Sequence, residues 1–486
     1  MSQLLDQSAL TLTRRIAARE LTAEALMQEV LAQIERLNPV VKALVSLLPP
    51  EQALSMARQS DTQLATTGPS GPLHGLPFAV KDLEEVQGLP STYGSPLFRA
   101  HIPTADSLMV ARLRAAGALI IGKTNVPEFG FGSHTYNPLF GTTLNAYDQS
   151  RTAGGSSGGA AVALALRMLP LADGSDHGGS LRNPAAFNNV FGFRPSPGLI
   201  PDLNGDRFLM GLPVLGPMAR NVDDLALLLS VQAGPDQRVP ASLCLANKHL
   251  PPIRSANVRG MRLGWLADLG GYLPMEPGIL ELCRAGLGVL DSLGATIDPI
   301  QLGFAPEVIW QSWRALRSWQ TAFRLKDVYQ DPTRRDLLKP EIQWEVEQGL
   351  ALSGMDVATQ IEQRNGWLRQ ALTLFETYDA LILPSAQVFP FVATQNWPDE
   401  IAGQRMDSYH RWMEVVTPAT LGGLPALNVP VGFNEAGLPM GMQLIGPPGG
   451  DLEILRLGKA YDQATRWPAR HQPALMTAPY TGNPGF

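Results

Sequence analysis

The spacing of apolar residues predicts helices at the start of the chain. From residue 10 to residue 37 the apolar side chains recur every three or four positions, which is typical of amphipathic helices. Thr22 comes before one such pattern and is a residue type that caps helix starts. We therefore expect residues 5–65 to form a helical layer on the outside of the fold.

Farther along the chain, short apolar runs alternate with helical patterns. Such alternation is typical of α/β proteins, in which helices cover the faces of a largely parallel or mixed sheet. The clearest helix, at residues 277–293, begins with a proline and ends at Gly294. We predict strands at residues 78–82, 118–121, 169–172, 262–266, 295–297, 379–384, 425–430 and 440–446.

From residue 302 to about residue 415 the pattern changes to long helices that are rich in tryptophan. Seven of the nine tryptophans fall in this region. One helical face carries an aromatic stripe, which predicts a buried face; the alternative interpretation is the aromatic wall of a substrate pocket. The stripe consists of Trp310, Trp313, Leu316, Trp319 and Phe323.

Composition and charge narrow the classes of function. The chain has 486 residues, of which 45% are hydrophobic and 17% charged, and its net charge of −6 offers no cationic surface for nucleic acid. Its two cysteines, Cys244 and Cys283, are too few for a disulfide framework or a four-ligand zinc site. The first residues lack the features of a secretion signal, and no apolar run reaches the roughly 18 residues of a membrane span. We predict a cytoplasmic protein without membrane contact, metal or cofactor.

Two glycine-serine stretches contain the candidate chemistry. They span residues 154–159 and 174–184 and include Ser156 and Ser180. Each is followed by residues that favour a helix, so each serine is expected at a helix N-terminus, where free backbone N–H groups meet. Glycines let a bound group approach the main chain closely. The two stretches therefore predict a pocket for a negatively charged oxygen.

Lys81 lies near the end of the predicted strand 78–82 and is the candidate base. Side chains alternate across a strand, so we expect Lys81 and Asp82 on opposite faces, with the lysine available for another partner. A second lysine, Lys123, lies in residues 117–124, which fit the nucleotide-binding pattern G-x-x-x-x-G-K-[ST]. Because the four middle residues are apolar, we interpret this segment as a connection from a helix to a strand, with Lys123 on its rim, and not as a phosphate-binding loop.

The second glycine-serine stretch also contains candidate oxyanion donors. A serine hydroxyl becomes a nucleophile when a neighbour accepts its proton and donors stabilise the charge on the attacked carbonyl oxygen. If Ser180 begins a helix, the main-chain N–H groups before it converge on one point and form an oxyanion hole. The residues concerned are His177, Gly178, Gly179 and Ser180.

Both stretches, taken together with Lys81, resemble the signature of the amidase signature family. The similarity is specific at residues 154–159 and 174–182, and it extends over nearly the whole chain. Further matching segments are residues 72–75 before Lys81, 122–125, 191–195 and 423–425, with Gly446 near the end.

The resemblance implies a fold and a domain organisation. We expect a single amidase domain, residues 1–486, with the amidase-signature fold, in which helices cover both faces of a central mixed sheet. This α/β core is expected at about residues 66–300 and 376–470. The helical layer forms about residues 1–65, and the tryptophan-rich helices form an insertion at about residues 302–375.

The resemblance also implies roles for individual residues. Ser180 is implied to be the nucleophile, Ser156 a bridging serine that follows a cis peptide bond, and Lys81 the ultimate base. Residues 177–180 are implied to form the oxyanion hole. His177 departs from the commonest family pattern, and we expect its side chain to point away while its backbone N–H takes part. The residues implied to support these groups are Ser157, Asp176 and Arg182.

The function implied by the resemblance is hydrolysis of a carboxylic amide through an acyl-enzyme on Ser180. The tryptophan-rich insertion favours an aryl or otherwise bulky apolar amide, with esters or carbamates as further substrates. The partner expected at the site is a small-molecule amide. The N-terminal helices are a candidate homodimer interface.

Two other functions stay open at this point. The same triad occurs in the glutamine-hydrolysing subunit of tRNA-dependent amidotransferases, which needs a partner subunit. The first glycine-serine stretch also fits G-x-S-x-G, the nucleophile elbow of α/β-hydrolases, with His410 or His471 as the later base. An elbow requires a strand directly before it, and residues 144–150 are a poor candidate for one.

Overall fold

In the computed structural model, which describes residues 4–204, 211–243, 253 and 257–477, strands and helices alternate along most of the chain. The strands are β1 Leu44–Val45, β2 Pro77–Lys81, β3 Leu119–Thr124, β4 Tyr136–Asn137, β5 Gly141–Thr142, β6 Ala172–Asp176, β7 Phe191–Arg194, β8 Val214–Ala219, β9 Arg262–Trp265, β10 Thr296–Pro299, β11 Ala380–Pro384, β12 Glu400–Ile401, β13 Gln404–Arg405, β14 Ala426–Phe433 and β15 Pro439–Ile445. The helices are α1 Ala9–Ala17, α2 Ala23–Val41, α3 Pro50–Thr67, α4 Leu108–Ala115, α5 Gly158–Ala165, α6 Arg182–Phe187, α7 Val222–Gln232, α8 Pro240–Leu243, α9 Ile279–Ser292, α10 Pro306–Gln330, α11 Pro332–Arg335, α12 Pro340–Leu350, α13 Gly354–Phe375, α14 Thr417–Leu421, α15 Asp451–Thr465 and α16 Trp467–Arg470.

Eight of these strands form one mixed sheet, in the order β10-β9-β11-β15-β14-β7-β8-β6. β9 runs parallel to both β10 and β11. The other neighbouring strands in this sheet run antiparallel to each other. Helices α6, α7, α9 and α15 pack against the sheet, and apolar residues from strands and helices form a large buried core. The predicted α/β fold with a mixed central sheet is confirmed.

One predicted strand, at residues 169–172, is misplaced, whereas the others lie within a few residues of their expected positions. β6 begins only at Ala172, runs to Asp176 and pairs with β8. The apolar run before it favoured the earlier position. The strand itself is polar because its side chains make hydrogen bonds inside the buried site described below. A search for apolar residues could not locate it.

The strand that carries Lys81 belongs to a second, smaller sheet. β2 pairs in parallel with β3, and β3 pairs with β1, so the order is β1-β3-β2. Lys81 is the last residue of β2, and its backbone N–H donates to Oδ1 of Asp173 in β6 at 3.0 Å. The edge strands of the two sheets therefore meet at Lys81.

Residues 117–124, which fit a nucleotide-binding pattern, contribute to this smaller sheet. β3 covers all but the first two of them, and every residue of β3 is buried. Lys123 forms an ion pair with Asp82, with 3.3 Å between Nζ and Oδ1. The segment connects α4 to β3, as expected, but the rim position predicted for Lys123 is wrong: β3 extends to Thr124, so Lys123 lies inside the strand, where a carboxylate binds its amine.

The predicted N-terminal helices are present as α1, α2 and α3. Ser8 caps α1 by accepting a hydrogen bond from the N–H of Thr11 at 3.1 Å, and Thr22 caps α2 through the N–H of Ala25 at 3.1 Å. The carboxylate of Asp224 in α7 accepts from two N–H groups at the start of α1. These bonds tie the N-terminal helices to the rest of the fold.

Helices α10 to α13 occupy the tryptophan-rich region. Trp310, Trp313 and Leu316 of α10 are buried. Trp319 is only partly buried, and Phe323 is 73% exposed. The prediction that all five residues share one buried face is therefore wrong for Trp319 and Phe323. Successive steps of three residues fall short of the helical turn of about 3.6 residues, so the stripe winds around the helix and reaches solvent.

Two predictions from composition concern cysteine and membrane contact. Cys283 in α9 is a buried free thiol whose pKa is raised by burial, and Cys244 lies outside the described residues. Among the described helices, none is both long enough and apolar enough to cross a bilayer.

Candidate active site

Three serine hydroxyls meet at the buried amine of Lys81. Its Nζ lies 2.9 Å from Oγ of Ser156 and 2.8 Å from Oγ of Ser157. It also lies 2.9 Å from Oγ of Ser175, whose carbonyl oxygen is at 3.4 Å. The lysine comes from β2, two hydroxyls come from the first glycine-serine stretch, and the third comes from β6. Lys81, Ser156 and Ser157 are thus brought together as the resemblance implies, and Ser175 joins them.

The amine of Lys81 has no carboxylate partner in the described part of the chain. Among the described residues no carboxylate forms an ion pair with Nζ, and Asp173 binds the backbone N–H of Lys81 instead. Lys81 is 1% exposed. Burial lowers the pKa of its amine to about 7, against the opposing charges of Asp173, Asp176 and Glu84. A substantial fraction of the lysine is therefore uncharged at neutral pH, as a base requires.

Close packing fixes the segment that carries Ser156. The peptide bond between Gly155 and Ser156 is cis, as the resemblance implies. The segment leads directly into α5, where a Cβ on Gly159 would lie 2.4 Å from the backbone nitrogen of Asn125. Glycine is required at this position because the start of α5 packs against the end of β3.

Ser180 lies between β6 and α6 and lines a small cavity together with Gly178. Gly130 lines the same cavity, and a Cβ on Gly130 would lie 3.5 Å from Oγ of Ser156. The Ser180 hydroxyl forms no hydrogen bond with any described residue. The two serines therefore border one region, but the expected contact between Ser156 and Ser180 is not made in this structure.

The loop at residues 177–180 carries the backbone N–H groups that the sequence predicts as oxyanion donors. The N–H of Gly179 is already engaged, because it donates to Oδ1 of Asp176 at 3.0 Å. The N–H groups of His177, Gly178 and Ser180 donate to no group in the described part of the chain. Of these three residues, Gly178 and Ser180 line the cavity.

Asp176 holds this loop from one side. Besides the N–H of Gly179, it accepts hydrogen bonds from the N–H of Leu181 at 3.2 Å and from Nη2 of Arg182 at 2.9 Å. Arg194 adds an ion pair at 3.3 Å. Burial alone would raise the pKa of Asp176, but the two arginines hold it well below its usual range. The carboxylate therefore stays ionised and keeps the loop in place.

Helix α10 holds the loop from the other side. The indole N–H of Trp313 donates to the carbonyl oxygen of His177 at 2.9 Å. The imidazole of His177 has no hydrogen-bond partner for its buried Nε2 in the described chain, and burial lowers its pKa well below the usual range. His177 is not among the residues that line the cavity. This placement favours the interpretation that its side chain points away from the site.

The cavity beside Ser180 is small and has polar side chains in its wall. Its volume of about 10 Å³ holds a single water molecule. Arg317 is one of these side chains, and its Nε donates to the buried carboxylate of Glu345 at 2.8 Å. The hydroxyl of Tyr409 donates to the same carboxylate at 2.7 Å. The other lining residues are Gly130, Gly132, Gly178, His410 and Met413.

The surroundings of Ser156 argue against a nucleophile elbow. Residues 143–157 contain no strand, only isolated bridges. His410 has its Nε2 3.3 Å from Glu345, and His471 packs against aromatic rings. Within the described chain, neither histidine hydrogen-bonds Ser156, so neither is placed to serve as its base.

No residues are assigned to a metal or cofactor. In the ranges that the structure describes, no group of three or more His, Cys, Asp or Glu side chains could hold a metal ion. The groups around Lys81 are hydroxyls and a carbonyl, and the nearby carboxylates of Asp82 and Asp176 are engaged in ion pairs.

Some residues of the site were not identified by sequence reasoning. Ser175 was hidden within a glycine-serine stretch, although correct placement of β6 would have revealed it. Asp173 and Ser175 are two positions apart on that strand and therefore face the same side, toward Lys81. Arg317, Tyr409 and Met413 come from distant segments, and no local pattern connects them with Ser180.

Comparisons with known sequences agree with this arrangement. A sequence model described as Amidase matches residues 25–455. Acylamidase from Rhodococcus erythropolis is 33% identical over 95% of this chain and 96% of its own length. A glutamyl-tRNA(Gln) amidotransferase subunit from Cyanothece sp. is 32% identical over 95% of this chain and 98% of its own length. The two kinds of relative are about equally similar to the chain.

A solved structure is similar over nearly the full length. The crystal structure of a bacterial aryl acylamidase, described as belonging to the amidase signature (AS) enzymes family, matches with a TM-score of 0.89 at 26% sequence identity. The match covers 96% of this chain and 99% of that chain. The sequence match, the fold and the serine-lysine cluster lead to the same conclusion: the chain belongs to the amidase signature family and is an amide-hydrolysing enzyme.

Proposed function

We propose that the protein hydrolyses the C–N bond of a carboxylic amide through an acyl-enzyme on Ser180, with Ser156 as the proton bridge and Lys81 as the base. The observation that carries this proposal is the buried amine of Lys81. It is hydrogen-bonded to Ser156 at 2.9 Å, burial lowers its pKa to about 7, and no carboxylate among the described residues pairs with it. Such an amine is ready to accept a proton near neutral pH.

The hydrogen-bond capacity of an uncharged amine supports this order of roles. It has two N–H donors and one electron pair, whereas the charged form has donors only. If Ser157 and Ser175 accept the two N–H bonds, the electron pair is left for the hydroxyl of Ser156. Ser156 then donates to Lys81, and its own oxygen is left to accept the proton of Ser180. Ser157 and Ser175 act in this scheme by orienting the amine.

The catalytic cycle has two halves. In the first, the proton of Ser180 moves to Ser156 while that of Ser156 moves to Lys81, and Oγ of Ser180 attacks the carbonyl carbon. The N–H groups of residues 177–180 that have no acceptor in the described chain stabilise the oxyanion, an effect worth about 3 kcal/mol for one donor. The C–N bond then breaks as the proton returns from Lys81 through Ser156 to the leaving nitrogen. In the second half, water attacks the acyl carbon while its proton passes through Ser156 to Lys81; the C–O bond to Ser180 then breaks, the proton returns through Ser156 to Oγ of Ser180, and the carboxylic acid leaves.

The cycle requires a contact between Ser156 and Ser180 that the resting structure lacks. Catalytic hydrogen bonds often tighten only when substrate is bound, and no hydrogen bond to a described residue holds the Ser180 hydroxyl in its present position. The cavity of about 10 Å³ also has to widen before an amide enters. We propose that substrate entry displaces the flexible side chain of Met413 and brings the two hydroxyls into contact.

For the substrate we propose an aryl or otherwise bulky apolar amide, with esters or carbamates as side substrates. The similarity to an acylamidase and to an aryl acylamidase supports this class. The tryptophans of the α10 stripe do not line the described cavity, but the rings of Tyr409 and His410 do, with Met413 beside them. An aryl group would pack against these rings.

A serine-reactive fluorophosphonate tests the nucleophile. We expect it to label Ser180 in the wild type, and we expect Ser180→Ala to lose the label and to lose amide hydrolysis by a factor of about 10³ or more. Circular dichroism of the variant checks that the fold is intact. An active Ser180→Ala enzyme, or a label on Ser156 alone, overturns the assignment.

A panel of anilides, aliphatic amides and peptide amides tests the substrate class. We expect the highest kcat/KM for anilides, because their ring fills the space beside Tyr409 and Met413. Esters and carbamates with the same aryl group measure the side activity. Exclusive cleavage of small aliphatic amides contradicts the apolar class.

A second candidate function is supported by the amidotransferase relatives. In that role the same site would release ammonia from glutamine for a partner subunit. Copurification with a second subunit, together with glutaminase activity that depends on it, is the expected outcome for this function. Hydrolysis of anilides by the isolated chain, with no glutaminase activity in cell extract, supports the amidase.

A cytoplasmic location and a homodimer through α1, α2 and α3 stay predictions. Light scattering of the purified protein measures its mass in solution. Cell fractionation tests the location.

A further inference from the structure

The loop with the oxyanion donors is held by a tryptophan from a distant part of the chain. The indole N–H of Trp313, in α10, donates to the carbonyl oxygen of His177 at 2.9 Å. Asp176 holds the following residues through the N–H of Gly179 at 3.0 Å. The peptide unit between His177 and Gly178 is therefore fixed on both sides.

The bond to Trp313 sets the direction of one oxyanion donor. In a trans peptide the C=O and N–H bonds lie in one plane and point in opposite directions. Because the carbonyl of His177 points at the indole, the N–H of Gly178 points away from it. This N–H has no acceptor in the described chain, and Gly178 lines the cavity together with Ser180.

The indole ring also packs directly on this peptide. A Cβ on Gly178 would lie 2.7 Å from Cζ2 of Trp313 and 3.5 Å from Cη2, so only glycine lets the ring come so close. Trp313 is itself firmly packed. It is fully buried, its ring stacks on Trp310 with 5.2 Å between centroids, and the ring of His410 lies at 5.2 Å.

We infer that Trp313 is a positioning residue that aims the Gly178 N–H at the transition-state oxyanion, so that α10 completes the active site. This inference rests on the proposed function, because it assumes attack by Ser180 beside this loop. Trp313 acts through the peptide and touches no reacting atom. Loss of its hydrogen bond leaves the donor misaligned, which slows the chemical step more than it weakens substrate binding.

Trp313→Phe tests this role, with Trp310→Phe as the matched control. Both changes replace a fully buried indole by a smaller ring, but Nε1 of Trp310 has no hydrogen-bond partner in the described chain. With the best anilide of the panel, we expect Trp313→Phe to lower kcat by about 10- to 100-fold and to leave KM within about twofold. Binding of phenylboronic acid, which forms a tetrahedral serine adduct, is expected to weaken by the same factor as kcat. Trp310→Phe is expected to change neither quantity appreciably.

Gly178→Ala probes the same contact from the loop side and covers the case in which Trp313→Phe does not fold. The added methyl group meets the indole, so we expect a comparable loss in kcat. In the double variant the smaller phenyl ring relieves this clash, so the two losses are not additive.

The outcomes separate this inference from the function on which it rests. Equal effects of Trp313→Phe and Trp310→Phe, or fully additive losses in the double variant, overturn the positioning role. An active Ser180→Ala enzyme overturns the proposed function instead. An inactive Ser180→Ala enzyme with an unimpaired Trp313→Phe enzyme overturns the positioning role alone.

Discussion

Two lysines lie near the ends of neighbouring strands in the small sheet, and their surroundings differ although both are buried. Lys81 in β2 is 1% exposed, and Lys123 in β3, which pairs with Val80, is 0% exposed. Burial lowers the pKa of both amines. Lys123 has the carboxylate of Asp82 at 3.3 Å, whereas Lys81 has three serine hydroxyls.

This difference in partners separates a structural lysine from a candidate base. The carboxylate of Asp82 stabilises the charged form of Lys123 and so opposes the effect of burial on the pKa of that amine. A hydroxyl carries no charge and favours the charged amine much less than a carboxylate does, and the pKa of Lys81 falls to about 7. Alternation along the chain produces the separation, because Asp82 faces Lys123 while Lys81 faces the serines. The expectation that Lys81 and Asp82 lie on opposite faces is confirmed.

Lys81→Met is expected to have the largest effect. Methionine fills the space of the side chain but accepts no proton, so we expect kcat for amide hydrolysis to fall by about 10³- to 10⁴-fold. Thermal unfolding followed by circular dichroism is expected to show a fold as stable as the wild type, because an apolar group replaces a buried amine. A variant with more than about a tenth of wild-type activity contradicts the role of Lys81 as base.

Lys123→Met is expected to change stability and not chemistry. It leaves the buried carboxylate of Asp82 without its cation, which lowers the free energy of unfolding by about 3–5 kcal/mol. Denaturant titration measures this loss. The folded protein is expected to keep kcat within about threefold of the wild type.

A double variant controls for the unpaired charge that Lys123→Met leaves on Asp82. Lys123→Met combined with Asp82→Asn removes both ions, and we expect it to recover much of the lost stability. If Lys123→Met lost as much activity as Lys81→Met in the folded state, the distinction between the two lysines would not hold.

The pH profile is expected to report the proton on Lys81. Only the neutral amine accepts a proton, so kcat/KM is expected to fall about tenfold per pH unit below pH 7 and to level off above it. Asp173, whose pKa burial raises to about 6, is the competing group. In Asp173→Asn the acid limb is expected to remain but to shift to lower pH. Loss of the negative charge of Asp173 destabilises the ammonium form of Lys81 and so lowers the pKa of its amine. Disappearance of the limb would assign it to Asp173.

Ser175→Ala is expected to have the smallest effect. The hydroxyl lies 2.9 Å from Nζ of Lys81 and orients the amine without carrying a proton in the cycle. We expect kcat to fall by about tenfold or less, and the acid limb to move to lower pH because the ammonium form loses a hydrogen bond. Kinetics measured across the pH range separate the two effects. An unchanged pH profile would mean that Ser175 has only a structural role and does not act on the amine of Lys81.

The fold was predictable where apolar spacing by itself determines an element. The N-terminal helices and the strands β9, β11 and β15 lie close to their expected positions for this reason. β6 was misplaced because its residues are polar and are buried only through the site that they build. The predicted burial of the α10 stripe was wrong from Trp319 onward, because residues spaced three apart do not stay on one face of a helix.

The site was predictable only as a set of residues. Lys81, Ser156 and Ser180 lie in short motifs, so the resemblance could name them. Their contacts depend on packing between distant segments, which no local pattern encodes. For that reason the sequence did not predict that Gly179 donates to Asp176, or that Arg317 and Tyr409 line the cavity.

The order of the chain has a consequence for its synthesis. Lys81, Ser156 and Ser180 all lie in the first 180 residues, yet several groups that hold the loop come later. Arg182, which binds Asp176, also donates to the carbonyl of Val416 and to the side chain of Gln443. A ribosome thus makes the reactive residues first and their supports last. We therefore expect the chain to be inactive until residues 416–443 have been made and have folded against the loop.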